Sequence, residues 1–277
     1  MYIENNSKPT VLLKCTKKDR ICEKKIVILL KQLIIQLLSD IMNILVTSAH
    51  PDDEVLGMGG TILKHAKNGD KVTVAYMTTG ITSRRSSNYE SISSYQSDKK
   101  QKSIMKNQIE ELRKDAKKSC KLLKVKKTIF FDFPDNELDT VPLLKIIKSI
   151  ENIIKEIKPD RIYTSHYGDL NIDHRIVFEA TLTACRPVKF PVKEIMCFEI
   201  LSSTDWAFSY EFKPNYFINI KNELDYKIKA MQIYKNEIRK FPHPRSIENI
   251  KNSAHKWGTV SGLKSAEAFQ LIRKFEK

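Results

Sequence analysis

The stretch from Ile44 to Gly60, ILVTSAHPDDEVLGMGG, constrains the fold of this chain most. Its first residues form a short apolar run, which is typical of a parallel strand that is buried on both faces. One imidazole and three carboxylates then follow within five residues, HPDDE. Proline suits the first turn of a helix, and acids suit the positive end of the helix dipole. The stretch therefore predicts a strand, a tight turn and a helix, with the acidic cluster at the carboxyl end of the strand.

Strand-like and helix-like segments alternate along the rest of the chain. Strands are predicted at Lys71–Thr78, Ile129–Phe133, Arg161–Ser165, Ile195–Leu201 and Tyr216–Ile220, and helices at Val55–Asn68, Met105–Leu123, Val141–Ile157, Arg175–Cys185, Asn222–Ile238 and Ser265–Phe275. The alternation implies right-handed crossovers and an α/β fold with a mainly parallel sheet. Between two of these segments lies a long polar stretch, Gly80–Ser103, which is predicted to be a functional or disordered loop.

Two acidic, histidine-containing stretches follow predicted strands. The first offers His50, Asp52 and Asp53, and the second, HYGDLNIDH, follows Ser165. The second stretch contributes four candidate ligands, namely His166, Asp169, Asp173 and His174. Taken alone, such acids are also ordinary capping residues of a helix. However, three of the six histidines lie in these two loops, and carboxyl-end loops of adjacent strands can face one crevice. The pattern therefore indicates a metal site, with a carboxylate to spare as a base.

Composition excludes few classes. The chain has 277 residues, of which 41% are hydrophobic and 29% charged, as in a globular protein with a sizeable core. The formal charge of +15 permits binding to anions. Most of the excess is scattered lysine, and no recognition motif accompanies it, so no nucleic-acid partner is expected. The five cysteines are odd in number and lack CxxC spacing, which favours reduced thiols and a cytoplasmic location.

The first 41 residues differ from the rest. Their apolar segment Ile26–Leu38 is short and carries a lysine, so neither a transmembrane segment nor a signal peptide is expected. An amphipathic helix that lies on the domain, on a partner or on a membrane surface is an alternative. We expect residues 1–41 to be a non-essential extension and residues 42–277 to be a single domain.

The motifs together resemble the PIG-L or LmbE-like family of zinc-dependent N-deacetylases. AHPDDE follows the first predicted strand and DLNIDHR follows the fourth. SR, FPDNELD, TACRP, FEILSSTDW and FPHPRS also agree, so the similarity runs from about Met42 to the C-terminus. The resemblance implies a Rossmann-like three-layer sandwich with helices on both faces of the sheet. It also implies removal of the acetyl group from an N-acetylated sugar of the N-acetylglucosamine-conjugate type.

The resemblance further implies that His50, Asp53 and His174 hold Zn²⁺, with Asp52 as the general base. Three protein ligands and one open position are the arrangement of a catalytic zinc site. Such a site lowers the pKa of its water and stabilises the oxyanion of the acyl intermediate. Asp173, which is next to His174, is expected to be a hydrogen-bond partner of a metal ligand.

One position departs from the family pattern. Many members have a histidine where this chain has Asn171, and an amide can donate to an oxyanion but cannot act as an acid. We therefore expect the proton for the leaving amine to come from His243, the preferred candidate, or from His166, with Asp52 acting twice as the alternative. His243 lies between two prolines in FPHPRS, which would limit its backbone. A packed structural turn is the alternative for that segment.

Substrate contacts are predicted for two arginines. Arg84 matches the arginine of the family's substrate-binding loop, and Arg245 would add positive charge at the rim. Trp206 either stacks on a sugar or closes the core.

Two other functions stay open, namely an amidohydrolase for a non-sugar N-acyl substrate and a non-catalytic basic binding protein. We also expect a homo-oligomer, whose order the sequence does not give.

Overall fold

The computed structural model describes residues 41–81, 99–190, 192–208 and 211–276. From Met42 onward the described residues form one compact unit. The predicted extension 1–41 lies almost entirely outside the described residues, so its dispensability stays a prediction. Among the helices that are described, none is long and apolar enough to cross a membrane.

Seven strands form one sheet. In chain order they are β1 (Asn43–Ser48), β2 (Lys71–Thr78), β3 (Lys127–Phe133), β4 (Arg161–Ser165), β5 (Glu194–Phe198), β6 (Tyr216–Asn219) and β7 (Ala266–Lys274). Their order across the sheet is β3-β2-β1-β4-β5-β7-β6. The first five strands run parallel, and β7 is antiparallel to both of its neighbours. The predicted mainly parallel sheet is therefore confirmed.

In the described part of the chain, six helices connect and cover the strands. They are α1 (Asp53–Lys67), α2 (Lys99–Leu122), α3 (Leu143–Ile157), α4 (Ile172–Ala184), α5 (Leu224–Ile233) and α6 (Ile247–Ser261). A short 3-10 turn, Leu138–Thr140, precedes α3. The described end of the predicted loop Gly80–Ser103 is already helical, because α2 begins at Lys99.

The helices lie on both faces of the sheet, as the resemblance implied. Residues of β1 alternate between the two hydrophobic cores: Val46 packs with α1, α2, α5 and α6 on one face. Leu45 packs with α3 and α4 on the other. Ile44, Leu45 and Val46 are all fully buried, which is the reason that a central parallel strand is apolar at successive positions. The Rossmann-like three-layer architecture is confirmed.

One predicted helix was wrong. Ser265–Phe275 contains strong helix formers, yet Ala266–Lys274 is the strand β7. Ala266 and Ala268 face Trp257 of α6, while Phe269 lies in the larger core. The strand is held by pairing on both sides, and such tertiary pairing overrides the helix propensity of alanine, glutamate and leucine. The helix that the prediction lacked is α6, which begins at Ile247 and is capped by the side chain of Ser246.

Glu267 connects β7 to α1. The helix α1 is kinked at Met58, whose φ of −146° is not helical. The kink leaves backbone donors free, and the Glu267 carboxylate accepts the N–H groups of Gly60 at 3.0 Å and Thr61 at 2.6 Å. Lys227 of α5 pairs with the same carboxylate at 2.7 Å. A buried strand residue thus completes a helix that lies about 200 positions earlier in the chain.

The fold directs one edge of the sheet towards ligands. The chain runs from β1 outward through β2 and β3, and then returns to the other side of β1 with β4 and β5. The strand order therefore reverses between β1 and β4. In open α/β sheets the carboxyl ends at such a reversal form the ligand-binding crevice.

Candidate metal and active site

The turn after β1 holds an unusual backbone. Asp52 has φ 119° and ψ −28°, which a residue with a side chain rarely adopts. Its N–H donates to Glu54 Oε2 at 3.0 Å, and its carbonyl accepts from Val55 at 3.0 Å and Leu56 at 2.9 Å at the start of α1. These hydrogen bonds fix the turn and so fix the orientation of the side chains on either side of Asp52. Backbone strain of this kind is concentrated at functional sites.

Three donor atoms from the two predicted loops converge. His50 Nδ1 lies 3.1 Å from His174 Nε2. Asp53 Oδ2 lies 3.4 Å from each of these nitrogens. All three could ligate a metal ion. Their spacing fits tetrahedral zinc, because ligands at ~2.0–2.1 Å from such an ion lie about 3.3 Å from one another. The second oxygen of Asp53 is buried without a hydrogen-bond partner among the described residues.

The outer nitrogen of His50 is held by two carboxylates. His50 Nε2 lies 3.0 Å from Asp135 Oδ1 and 3.1 Å from Asp173 Oδ2. Asp173 is itself fixed, since its carboxylate accepts the backbone N–H of Asn136 at 2.6 Å and of Leu138 at 3.0 Å. With the proton kept on Nε2, the Nδ1 atom is left as a ligand atom. His50, Asp135 and Asp173 are also close enough together to hold an ion themselves.

His174 has a different partner. Its Nδ1 lies 2.9 Å from Asp169 Oδ1, which leaves Nε2 facing the other donor atoms. Asp169 in turn accepts hydrogen bonds from the hydroxyl of Ser203 and, at 2.7 Å, from Thr204 Oγ1. The residue beside His174 in sequence, Asp173, therefore hydrogen-bonds His50 instead.

The carboxylates make this site strongly anionic. Burial alone would lower the pKa of both histidines, but the charge of Asp53 and the other carboxylates outweighs it. The pKa of His50 therefore lies well above its ordinary value, and that of His174 is raised to about 9. Burial would raise the pKa of Asp53, yet His174 and His50 keep it well below its ordinary value. A site of this charge is complementary to a cation.

Asp52 lies between His50 and Asp53 in the sequence, but its carboxylate is not one of the three converging donor groups. Its carboxylate Oδ2 accepts a hydrogen bond from Arg245 Nη1 at 3.0 Å. Burial raises the pKa of Asp52 well above its ordinary value, although Arg245 opposes the shift. Burial also raises the pKa of the neighbouring Glu54, to about 7.

A cavity opens at this edge of the sheet. It is lined by His50, Pro51, Asp52, Gly80, Leu112, Asp135, Asn136, Asn171, Glu237 and Arg245. Asn171 caps α4, since its Oδ1 accepts the N–H of Asp173 at 2.8 Å while its Nδ2 donates to Asn136 Oδ1 at 2.8 Å. Two of the residues predicted to contact substrate or intermediate, Asn171 and Arg245, therefore face this cavity.

The two remaining histidines of the prediction do not line the cavity. His166 is fully buried, and its ring packs against Tyr167 at 4.3 Å and Phe212 at 5.3 Å. His243 contacts a residue that lines the cavity, since its Nδ1 accepts the backbone N–H of Arg245 at 3.0 Å. Burial lowers the pKa of His166. Burial and then Arg245 lower that of His243.

The sequence also pointed to Arg84 and Trp206 as possible substrate contacts. Arg84 lies outside the described residues, so its predicted contact with substrate is untouched by the structure. Trp206 does not close the core, because 46% of it is exposed. Its ring stands edge-on to that of His243, with the centroids 5.4 Å apart.

Sequence reasoning missed two members of this site. They are Asp135 and Glu237, which line the cavity. Asp135 lies just after β3, so its position at the carboxyl end of a strand is a usable signal. Glu237 gives no such signal, because it lies after α5 and not at the end of a parallel strand.

Comparison with known proteins gives the family. The model of the PIG-L family, described as GlcNAc-PI de-N-acetylase, matches residues 45–185. The protein YaiS of Escherichia coli K12, described as an uncharacterized deacetylase, is 27% identical over 199 residues, which cover 70% of this chain and 90% of YaiS. The diacetylchitobiose deacetylase of Thermococcus kodakarensis is 25% identical over 246 residues, which cover 84% of each chain.

A solved structure has the same fold but is described with a different activity. GalB of Pseudomonas putida KT2440, described as 4-carboxy-2-hydroxymuconate hydratase, superimposes with a TM-score of 0.64 at 19% identity, over 85% of this chain and 98% of GalB. The likeness supports the fold alone. The family model, by contrast, spans β1, β4 and both loops of the converging donor atoms, just over half of the 277 residues. This chain therefore belongs to the PIG-L family.

Proposed function

We propose that this protein is a zinc-dependent hydrolase that removes the acetyl group from an N-acetylated amino sugar, of the N-acetylglucosamine-conjugate type. The observation that carries the proposal is the convergence of the donor atoms of His50, Asp53 and His174, beside a cavity whose lining includes His50 and a fourth side chain, Asp52. A purely structural metal site has no use for an additional carboxylate at its edge.

His50, Asp53 and His174 would hold the zinc ion in this proposal. Their donor atoms have suitable chemistry and spacing, and Asp169, Asp173 and Asp135 orient the two rings. When bound, zinc would lower the pKa of a water molecule towards ~7 and polarise the acetyl carbonyl.

Asp52 acts as the general base. Its carboxylate takes one proton from the water whose oxygen bonds to the acetyl carbon. The C–N bond then breaks, the amine takes a proton, and the acetyl group leaves as acetate with the remaining proton released to solvent. The Asn171 amide lies in the cavity wall, where it can donate to the developing oxyanion once its bond to Asn136 is exchanged.

The proton for the amine is returned by Asp52. Asp52 lines the cavity, whereas His166 and His243 do not. A proton returned by one of these imidazoles, as expected from the sequence, is the alternative, and a pH profile of the two variants tests it.

A substrate that extends beyond one sugar has surfaces available. Trp206 is exposed beside His243, and an aromatic face of this kind suits the apolar face of a sugar ring. Arg84 is proposed to contact the sugar, by resemblance to the family's substrate-binding loop. The cytoplasmic location and the homo-oligomer are likewise proposals, the former supported by three described cysteines that are buried and unpaired.

An amidohydrolase for non-sugar N-acyl substrates is the second candidate, because the proposed ligands and Asp52 act on the acyl group and do not themselves select a sugar. The test uses zinc-loaded full-length protein with N-acetylglucosamine, diacetylchitobiose, N-acetylglucosaminyl malate, N-acetylglucosaminyl inositol and N-acetyl amino acids, and acetate is measured.

We expect acetate from at least one sugar, and a loss of ~10²–10⁴-fold in Asp52→Asn at unchanged zinc content. Acetate from the amino acids alone would favour the second candidate. A zinc-loaded protein that releases no acetate from any compound would instead support a non-catalytic binding protein.

A further inference from the structure

The guanidinium of Arg245 binds the carboxylate of the proposed base, Asp52. Its Nη1 donates to Asp52 Oδ2 at 3.0 Å and lies 3.4 Å from Glu237 Oε2. Its Nε donates to Ser202 Oγ at 3.0 Å. The guanidinium is thus bound by three separate segments of the chain, and two of its partners are carboxylates that compensate its charge.

We propose that Arg245 is a positioning residue of the hydrolysis, which fixes the carboxylate of Asp52 in the orientation that lets it act on the water. This inference rests on the proposed function. It moves Arg245 from the substrate rim, where its positive charge was expected to help bind an anionic conjugate, to the support of the base.

Burial makes the contact specific. The side chain of Asp52 is 3% exposed and that of Arg245 is 24% exposed. In the described part of the chain, no other side chain donates a hydrogen bond to the Asp52 carboxylate. A sheltered charge-assisted bond holds its geometry better than an exposed pair, and its loss leaves a buried carboxylate without a partner.

The guanidinium is itself held in place. The backbone N–H of Arg245 donates to His243 Nδ1 at 3.0 Å. The next residue, Ser246, caps α6 by accepting the N–H of Asn249 at 3.0 Å. The backbone of Arg245 is therefore fixed between a histidine on one side and a helix start on the other, at the point from which the side chain reaches Asp52.

Two uncommon backbone conformations meet at this arginine. Asp52 has φ 119° and Ser202 has φ 85°, and both are in the region that favours glycine. Both residues bond the guanidinium of Arg245 through their side chains. Backbone strain persists only where the surroundings determine it, and it is concentrated at functional sites. Such backbone conformations at two residues that bind the same guanidinium support a role for Arg245 in positioning Asp52.

The test compares Arg245→Ala and Arg245→Lys with wild type, all zinc-loaded and full-length, on the best substrate of the panel. We expect Arg245→Ala to lower kcat on the order of 10²-fold, the cost of a small misplacement, with little change in KM. Arg245→Lys should retain more activity. Added guanidinium chloride, well below denaturing concentrations, should restore part of the rate of Arg245→Ala and none of Asp52→Asn.

A double-mutant cycle separates positioning from other roles. If Arg245 acts through Asp52, Arg245→Ala should cost little once Asp52→Asn is present, because the two changes remove one unit. Additive losses, or a raised KM at unchanged kcat, would overturn the inference. If Arg245→Ala does not fold, Arg245→Lys takes its place in the cycle.

Arg239→Ala is the matched control. Arg239 lies in the same segment, and among the described residues its guanidinium donates to the carbonyls of Asn236 and Ile238 and to no side chain. It should keep the wild-type kcat. A wild-type protein that releases no acetate defeats the proposed function and this inference with it, whereas an active wild type with an unimpaired Arg245→Ala defeats the inference alone.

Discussion

Asp173 hydrogen-bonds His50, 123 positions away, and not the adjacent His174: its Oδ2 lies 3.1 Å from His50 Nε2. Asp169 is the carboxylate beside His174, with its Oδ1 2.9 Å from Nδ1. Each proposed histidine ligand therefore has its own orienting carboxylate, and the two are contributed by the same loop. This exchange of partners leads to the first prediction.

Asp169→Asn and Asp173→Asn should each weaken zinc binding. The amide no longer accepts the ring N–H as a carboxylate does, so the ring loses its fixed orientation and the ligand nitrogen becomes less basic. Changes of this kind typically cost 10–100-fold in metal affinity. Competition with a chromophoric chelator measures it. The exposed Asp139, changed to Asn, is the control, and equal affinity in all four proteins would contradict the assignment.

The two histidines outside the cavity give a second prediction. We expect His166→Gln and His243→Gln to keep the alkaline limb of the pH profile of turnover, because Asp52 returns the proton. His243→Gln should still turn over more slowly, since the ring holds the backbone of Arg245. Loss of the alkaline limb in one variant would identify that histidine as the acid.

The glycines of GMGG give a third. A Cβ atom at Gly57 would lie 2.2 Å from Phe198 Cδ2 and 2.8 Å from the carbonyl oxygen of Glu199, whereas one at Gly59 would lie 3.2 Å from Lys227 Cγ and 3.3 Å from Val55 Cγ1. Gly57→Ala should therefore destabilise the protein by about 1–3 kcal/mol or more. Gly59→Ala should be much milder, helped by the helix propensity of alanine. Urea unfolding of both variants decides it, and equal losses would refute the packing argument.

Glu267→Gln should be strongly destabilising. The change leaves Lys227, whose side chain is 5% exposed, without its charged partner, and breaking one half of a buried pair costs ~3–5 kcal/mol. It also weakens the acceptor for the backbone donors at the kink of α1. Glu276→Gln, which disrupts the exposed pair with Lys274, is the control and should leave the unfolding curve unchanged. A curve for Glu267→Gln that matches wild type would contradict the role of the pair.

His65 predicts a pH dependence of stability. It is buried with Nδ1 2.6 Å from Asp70 Oδ2 and Nε2 2.9 Å from the hydroxyl of Tyr163, and burial lowers its pKa. The unfolded chain takes up this proton near pH ~6.5 and the folded chain only at lower pH, so stability falls as the pH drops below ~6.5.

His65→Gln should flatten this part of the stability curve. Denaturant unfolding at several values between pH ~5 and ~7.5 measures the slope of the unfolding free energy. The exposed His255, changed to Gln, serves as the comparison. An unchanged slope in His65→Gln would show that other groups account for the acid loss.

The sequence by itself determined the local features of this protein. The strand, turn and helix around HPDDE and the second loop at DLNIDH could be read directly, because each is encoded in residues that are neighbours in the chain. Parallel strands also place their carboxyl ends at one edge, so the convergence of the two loops was predictable, and the family resemblance singled out His50, Asp53 and His174 within them. Helix propensity misled the reading only where pairing overrides it, at Ala266–Lys274.

Only the tertiary structure decided which side chains meet. Arg245 reaches Asp52 across 193 positions, and Glu267 reaches the kink of α1 across 207. Nothing in the local pattern specifies such contacts, since they depend on how β7 and the segment after α5 pack against the first helix. Adjacency in sequence did not decide which ligand Asp173 contacts, because a helix start points successive side chains in different directions. The elements were therefore set by local chemistry, and the electrostatic partners of the site by packing over long range.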